Sequence, residues 1–211
     1  LANECRYEEA LEHFQRAAEA IPPFAPAFSN MGFVLNSLGR PEEALTCLRR
    51  ALELSPNFAD GHNNMGVALQ ELGRSEEAIE SYARALHINP HLASAHNNMA
   101  TALATLGRHD AAIRHYHQAL RIEPMSASAF YNLGLVLRQR GRLSEAMECL
   151  TRATALKPDF AAALRNLGSL LSDCGRPQEA IAAFSRALAV DPSLSMARAQ
   201  RLHQLARICD W

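Results

Sequence analysis

The chain has 211 residues, of which 48% are hydrophobic, 20% are charged and only 6% are aromatic. This apolar fraction is enough to bury a core, so the composition excludes an intrinsically disordered chain. Lysine and arginine together number 21 and aspartate and glutamate 22, which gives a formal net charge of −1. Proteins that mainly bind phosphate backbones are normally basic, so nucleic-acid binding is not predicted. No run approaches the roughly 18 consecutive apolar residues of a membrane-spanning helix.

The cysteines are odd in number, scattered along the chain and without a C-x-x-C pair. They are Cys5, Cys47, Cys149, Cys174 and Cys209. This spacing is typical neither of a disulfide framework nor of a zinc site. We interpret the five side chains as reduced thiols of an intracellular protein, which predicts a cytoplasmic location.

The sequence repeats itself every 34 residues. A Gly-Arg pair recurs at 39–40, 73–74, 107–108, 141–142 and 175–176, and prolines recur at 22, 56, 90, 124, 158 and 192. Nine of the ten glycines fall on two positions of the repeat, with Ala100 replacing one of them in the third repeat. Chance does not produce such spacing, so the chain is predicted to be an array of one structural unit.

Each repeat predicts two helices. Gly39 marks the end of the first helix, because a left-handed residue at a helix C-terminus is least costly for glycine. Pro56 closes the second helix, because proline lacks the N–H group that a helix needs. Leucines at helical spacing form an apolar face, and small residues such as Gly32 let the helices approach closely. One hairpin cannot bury this face alone, so the hairpins must stack.

The 34-residue step and the pattern N-[LM]-G…G-R-x-x-E-A…A-L…P resemble the tetratricopeptide repeat over the whole chain. The resemblance implies an all-α fold, a right-handed α-solenoid of helix hairpins that binds proteins. In chain order we predict a partial repeat at 1–24, full repeats at 25–58, 59–92, 93–126, 127–160 and 161–194, and a half repeat at 195–211. We expect one continuous superhelix over 1–211. Neither end supplies an obvious polar cap, which predicts a fragment of a longer protein.

One polar residue recurs inside the first helix of every full repeat. These asparagines are Asn30, Asn64, Asn98, Asn132 and Asn166. Asparagine has poor helix propensity, so its recurrence needs a reason. In a structural interpretation, the amides bond backbone groups of the adjacent helix. In a functional one, they face a concave groove and pair with the N–H and C=O groups of an extended peptide, since an amide both donates and accepts.

The same asparagine position is similar to that of the superhelix of the O-linked N-acetylglucosamine transferases and their SPINDLY-type relatives. That resemblance implies an asparagine ladder that binds the backbone of acceptor proteins, next to a separate catalytic region that uses a sugar nucleotide. Gln200 replaces the asparagine in the half repeat, and residues 1–24 lack the position. The terminal Cys209-Asp210-Trp211 is similar to the end of the last half repeat in that family. The alternative is a stand-alone scaffold that assembles partner proteins.

No catalytic motif is present: the chain has no G-x-S-x-G, no phosphate-binding glycine loop and no H-E-x-x-H. We therefore expect that this chain by itself is not an enzyme and needs no cofactor; a C-terminal catalytic domain and a homo-oligomer stay open. Nine histidines invite a metal hypothesis, but His115 and His117 are two apart and point in different directions on a helix. We expect solvated or packing histidines and no metal site. The predicted partners are extended protein segments, with neither nucleic acid nor membrane.

Overall fold

The computed structural model describes residues 7–14, 16 and 24–209, without the side chain of Cys209. These residues form α-helices and no β-strand, which confirms the predicted all-α class. The helices are α1 (7–14), α2 (Ala25–Ser37), α3 (Pro41–Leu54), α4 (Ala59–Glu71), α5 (Ser75–Ile88), α6 (Ala93–Thr105), α7 (His109–Ile122), α8 (Ala127–Gln139), α9 (Leu143–Leu156), α10 (Ala161–Asp173), α11 (Pro177–Val190) and α12 (Ser195–Cys209). None of the described helices combines the length and the apolar character that crossing a lipid bilayer requires.

The helices pack as consecutive hairpins within two compact units, Leu1–Ile122 and Glu123–Trp211. In the first unit, α2 pairs with α3, α4 with α5 and α6 with α7, while α3 contacts α4 and α5 contacts α6. In the second unit, α8 pairs with α9 and α10 with α11, while α9 contacts α10 and α11 contacts α12. The first helix of each hairpin begins at the residue where we count a repeat. One continuous superhelix stays a prediction, as do the boundaries of the repeats.

Glycine ends the first helix of each hairpin in the left-handed conformation. Gly39 has a φ of 71°, and the glycines at the four equivalent turns lie between 70° and 73°. The Gly39 N–H donates to the Asn36 carbonyl at 3.0 Å and the Arg40 N–H to the Leu35 carbonyl at 2.9 Å. These two bonds satisfy carbonyls that the helix end would leave without partners. The chain can therefore turn sharply into the second helix.

The two helices of a hairpin approach each other at the second glycine position. Opposite Gly66 lies the ring of Tyr82, which is fully buried, and opposite Gly168 lies Phe184 in the same arrangement. A Cβ atom at Gly66 would come within 2.5 Å of the Tyr82 ring. In these two hairpins the absence of a side chain thus gives room for the largest core residue of the second helix.

The described cysteines are free thiols. Cys149 is buried, Cys47 is half-buried and Cys174 is exposed. Burial is the main cause that raises the pKa of the Cys47 and Cys149 thiols, that of Cys149 to about 11. Thiols with raised pKa values are poor nucleophiles, so these two cysteines serve packing. Cys5 lies outside the described residues.

Replacing Gly66 with alanine is expected to destabilise the protein by about 1–2 kcal/mol, because the gain in helix propensity does not offset the displacement of the Tyr82 ring. Ala100 fills the equivalent position opposite Tyr116, so the packing can adapt to a methyl group, which limits the cost. The matched control is Gly134→Ala, where the added Cβ would lie 3.0 Å from its nearest neighbour, Cγ of Leu150. Urea unfolding should show a larger loss for G66A than for G134A, and equal losses would contradict this account of the packing.

Candidate functional site

The five candidate asparagines all lie on first helices, on the side that the second helices leave uncovered. Asn30 is exposed and the other four are half-buried. On α2 the uncovered residues after Asn30 are Phe33 and Ser37, three and seven positions further on, while Met31 and Val34 are buried. The spacing of three to four residues defines one face of the helix. We call this side the ladder face: the uncovered side of the first helices that carries Asn30, Asn64 and Asn98 in the first unit and Asn132 and Asn166 in the second.

The ladder amides are tied to the preceding hairpin by a recurring side-chain hydrogen bond. The Asn64 amide nitrogen donates to Ser29 Oγ at 3.1 Å, and the Asn98 amide nitrogen donates to Asn63 Oδ1 at 3.1 Å. In the second unit, the Asn166 amide nitrogen donates to the Tyr131 hydroxyl at the same distance. Each bond spans 35 positions, so each acceptor is the residue immediately before the asparagine position in the preceding repeat.

These bonds leave the carbonyl oxygen of each amide available. Within the described part of the chain, no group donates to Oδ1 of Asn64, Asn98 or Asn166, while one N–H of each amide is committed. Asn166 also donates to the Ala162 carbonyl of its own helix at 2.9 Å, so both its amide hydrogens are used. Asn64 and Asn98 thus present one acceptor and one donor, and Asn166 presents an acceptor alone.

Helix α12, the first helix of the C-terminal half repeat, departs from this arrangement. At Gln200 the oxygen, not the nitrogen, is engaged, because Ser169 Oγ donates to Gln200 Oε1 at 3.3 Å. The residue 35 positions before Gln200 is Arg165, which has no acceptor to offer. Gln200 is therefore not equivalent to the asparagines. The side chains of Asn30 and Asn132 form no hydrogen bond with other described residues.

The lateral bonds correct one detail of the structural interpretation and add residues that the sequence did not reveal. The amides bond mainly side chains of the neighbouring first helix, and only Asn166 bonds a backbone carbonyl. Ser29, Asn63 and Tyr131 hold the ladder amides, although they share no residue type. Their common property is an oxygen that can accept, and this was the only signal that could have identified them.

Two histidines, His96 and His115, lie in contact with each other. His96 Nδ1 lies 3.0 Å from His115 Nδ1, and His96 Nε2 lies 3.2 Å from the Pro90 carbonyl. Because a carbonyl only accepts, His96 Nε2 carries the hydrogen and His115 donates to His96 Nδ1. Among the described residues, no three histidine, cysteine or acidic side chains converge as a metal site would require. Burial is the main cause that lowers the pKa of both histidines.

Four of the five arginines that follow a turn glycine bind a carboxylate of their own hairpin, three residues further on. Arg40 lies 2.6 Å from a Glu43 carboxylate oxygen, and the pairs Arg74–Glu77, Arg142–Glu145 and Arg176–Glu179 repeat the contact. The hydrogen bond from Arg40 is the main cause that lowers the pKa of Glu43. These guanidinium groups therefore brace the hairpin turn.

Family models match most of the chain. A model described as TPR repeat matches 32–73. A first model described as tetratricopeptide repeat matches twice, over 57–124 and 91–159, and a second matches 137–206. The fold and the matches define a helical-repeat protein that serves protein–protein interaction. The chain belongs to the tetratricopeptide repeat family. No curated protein matches the sequence at a significant level.

Solved structures share the fold at low sequence identity. MamA is 25% identical, with a TM-score of 0.68, covering 77% of this chain and 95% of that one. YrrB, described as a TPR protein with an unusual peptide-binding site, is 23% identical, with a TM-score of 0.67 over 90% of this chain and 97% of its own. Pseudomonas aeruginosa pilF is 23% identical, with a TM-score of 0.82 over 88% of this chain and 84% of its own.

The His96–His115 pair predicts a loss of stability on acidification. Both pKa values are lowered from 6.5 in the folded chain, so the unfolded chain binds more protons as the pH falls below about 6.5. The free energy of unfolding should therefore decrease between about pH 7.5 and pH 5.5. In His115→Gln the decrease should be smaller, because one of the two groups no longer titrates. Urea unfolding at both pH values measures this, and an unchanged difference in the variant would contradict it.

Proposed function

We propose that the chain binds extended protein segments along the ladder face, through the backbone of the ligand. The observation that supports this most directly is the lateral bond, which holds three amides by their nitrogen and leaves three carbonyl oxygens free. A free acceptor on a helix surface can receive a backbone N–H from a ligand. The structural and the functional interpretations of the asparagines are then compatible, because one hydrogen of each amide positions it and the remaining groups bind.

The spacing of the first helices suits an extended ligand. Packed helices lie about 8–10 Å apart, and an extended peptide advances about 3.3 Å per residue. Successive amides within a unit would thus meet about every third residue of the ligand. An extended backbone offers its N–H groups irrespective of side chain, so we expect broad sequence tolerance. Exposed Phe33 adds an apolar contact on α2.

YrrB shares the fold and is described as a TPR protein with an unusual peptide-binding site, and this similarity supports the proposal. The free thiols support a reducing, cytoplasmic compartment.

Removing two ladder amides should weaken binding of unrelated extended peptides. The probes are three fluorescein-labelled 15-residue peptides of scrambled Gly, Ser, Thr and Val composition. We expect N64A/N98A to lower the affinity for each peptide by about tenfold or more, because the peptide backbone loses its hydrogen bonds to the two amides. Fluorescence anisotropy measures the affinity and circular dichroism the thermal midpoint. Gln178→Ala, which removes an exposed amide on the second helix α11, is the matched control and should bind normally.

A second set of peptides tests the backbone mechanism. Peptides of the same sequence with an N-methyl group at every third residue lack N–H groups there and should bind less well in at least one register. Unchanged affinity of N64A/N98A, or a large loss of thermal stability with it, would assign these asparagines to the structural role alone.

We propose a particular context for this module, the acceptor-recognition arm of a protein O-glycosyltransferase. The support lies in the sequence: all five full repeats carry the asparagine, and Cys209-Asp210-Trp211 follows them. Asp210 and Trp211 lie outside the described residues. The family models and the structural neighbours support the repeat fold and no finer assignment. The alternative context is a stand-alone scaffold for partner proteins.

The native coding sequence beyond the codon for Trp211 separates the two contexts. A long continuation that encodes a nucleotide-sugar-binding α/β region is expected for the transferase arm. A stop codon within one or two further helices would contradict that context and favour the scaffold, while leaving peptide binding itself intact.

A further inference from the structure

A groove separate from the ladder face lies between the second helices α3 and α5 of the first unit. Its volume is about 570 Å³. Leu52 on α3, Met65 on α4 and Ile88 on α5 contribute apolar walls, and His62 and Ser81 contribute polar groups. Both polar residues are only 7% exposed. The groove is therefore a mainly apolar cleft whose wall includes two almost fully buried polar side chains. Ligand sites usually have this composition.

His62 presents an unpaired acceptor in this groove. Its Nε2 atom lies 2.8 Å from the Pro56 carbonyl oxygen, which can only accept, so Nε2 carries the ring hydrogen. The lone pair is then on Nδ1. No described residue donates a hydrogen bond to that atom. A polar atom of a side chain that is only 7% exposed normally has a hydrogen-bond partner.

The next repeat of the same unit shows what kind of group fits there. His96 stands 34 positions after His62 and makes the equivalent contact with Pro90, at 3.2 Å. Its Nδ1 atom is occupied by the imidazole of His115, at 3.0 Å, with ring centroids 5.2 Å apart. The position equivalent to His115 in the earlier repeat is Ser81. A hydroxymethyl group thus stands where the later repeat has a planar ring with an N–H donor.

The groups around the groove define the chemistry of its occupant. Ser81 Oγ donates to the Glu77 carbonyl at 3.0 Å, so toward the groove it can only accept, like His62 Nδ1. The occupant must therefore donate, and the apolar walls favour a ring. Arg49 and Arg84 also line the groove, and neither forms an ion pair with a described carboxylate, while Glu53 is held by Arg50 at 2.9 Å. Two unpaired guanidinium groups disfavour a cationic donor and favour a carboxylate nearby.

We propose that this groove binds the side chain of a tryptophan or tyrosine that lies beside an acidic group on a partner protein. The ring N–H or O–H donates to His62 Nδ1, in the place that the His115 imidazole takes in the next repeat. The ring packs against Leu52, Met65 and Ile88, and the acidic group pairs with Arg49 and Arg84. The site is independent of the ladder face and of backbone recognition.

The smallest probe for this site is N-acetyl-L-tryptophan, which carries both the ring N–H and a carboxylate. Titration into the ¹⁵N-histidine-labelled chain should shift the His62 Nδ1 resonance. N-acetyl-L-phenylalanine has the same amide N–H and carboxylate but lacks the ring N–H donor, and it should bind about tenfold more weakly. N-acetyl-L-tryptophanamide lacks the carboxylate and should bind several-fold more weakly, a difference that R49Q/R84Q should remove. No shift of the His62 resonance, or equal affinity for the tryptophan and phenylalanine probes, would overturn the proposal.

The chain offers its own control variant. Ser81→His copies the arrangement that His115 has one repeat later, so the fold should tolerate it, and the imidazole should occupy the groove. Binding of N-acetyl-L-tryptophan should fall at least tenfold while the helical circular dichroism stays the same. Unchanged binding by a folded S81H would also overturn the proposal; if S81H does not fold, R49Q/R84Q with the three probes decides. N64A/N98A should bind this probe normally, which keeps the test separate from that of the ladder face.

Discussion

The arrangement depends on one constraint: a two-helix hairpin of this sequence cannot bury its own apolar face. The helices of a hairpin meet at Gly66 and Tyr82 or their equivalents, and the remaining face is covered by the next hairpin. Because every repeat has 34 residues, neighbouring hairpins of a unit meet in the same register. A side chain on one first helix therefore finds the same part of the preceding first helix beside it in each repeat, and the lateral bonds join residues 35 positions apart. The lateral amide bonds follow from this register, as does the comparison between His62 and His96.

The fold was predictable because its determinants are residue identities at fixed spacing. Gly39 and Pro56, with their equivalents, mark the helix ends by backbone properties that few other residues have. The helices α2, α4, α6, α8 and α10 each end two residues before the turn glycine, and α3, α5, α7, α9 and α11 each end two residues before the proline. The asparagine position was equally visible, since the same residue recurs in all five full repeats.

Other parts of the site were not predictable, for physical reasons that can be named. The acceptors Ser29, Asn63 and Tyr131 share a capacity for hydrogen bonding and no common residue type, so a search for identities does not find them. The groove beside His62 arises because Ser81 is smaller than His115, and a missing side chain leaves no pattern in a sequence. Both features become visible only when equivalent positions are compared for their chemistry and volume.

The lateral bonds have a direction, and this has a consequence for how such an array can grow. Asn64, Asn98 and Asn166 are each held by the repeat before them, through an acceptor that immediately precedes the asparagine position of that repeat. The segment 59–92 carries both partners of the bond: the Asn64 amide donates to the repeat before it, and Asn63 accepts from the repeat that follows. Tandem duplication of such a segment can lengthen the ladder face without any new substitution. At α12 this pairing changes, because Arg165 supplies a cation in place of the acceptor and the Gln200 amide accepts from Ser169 instead.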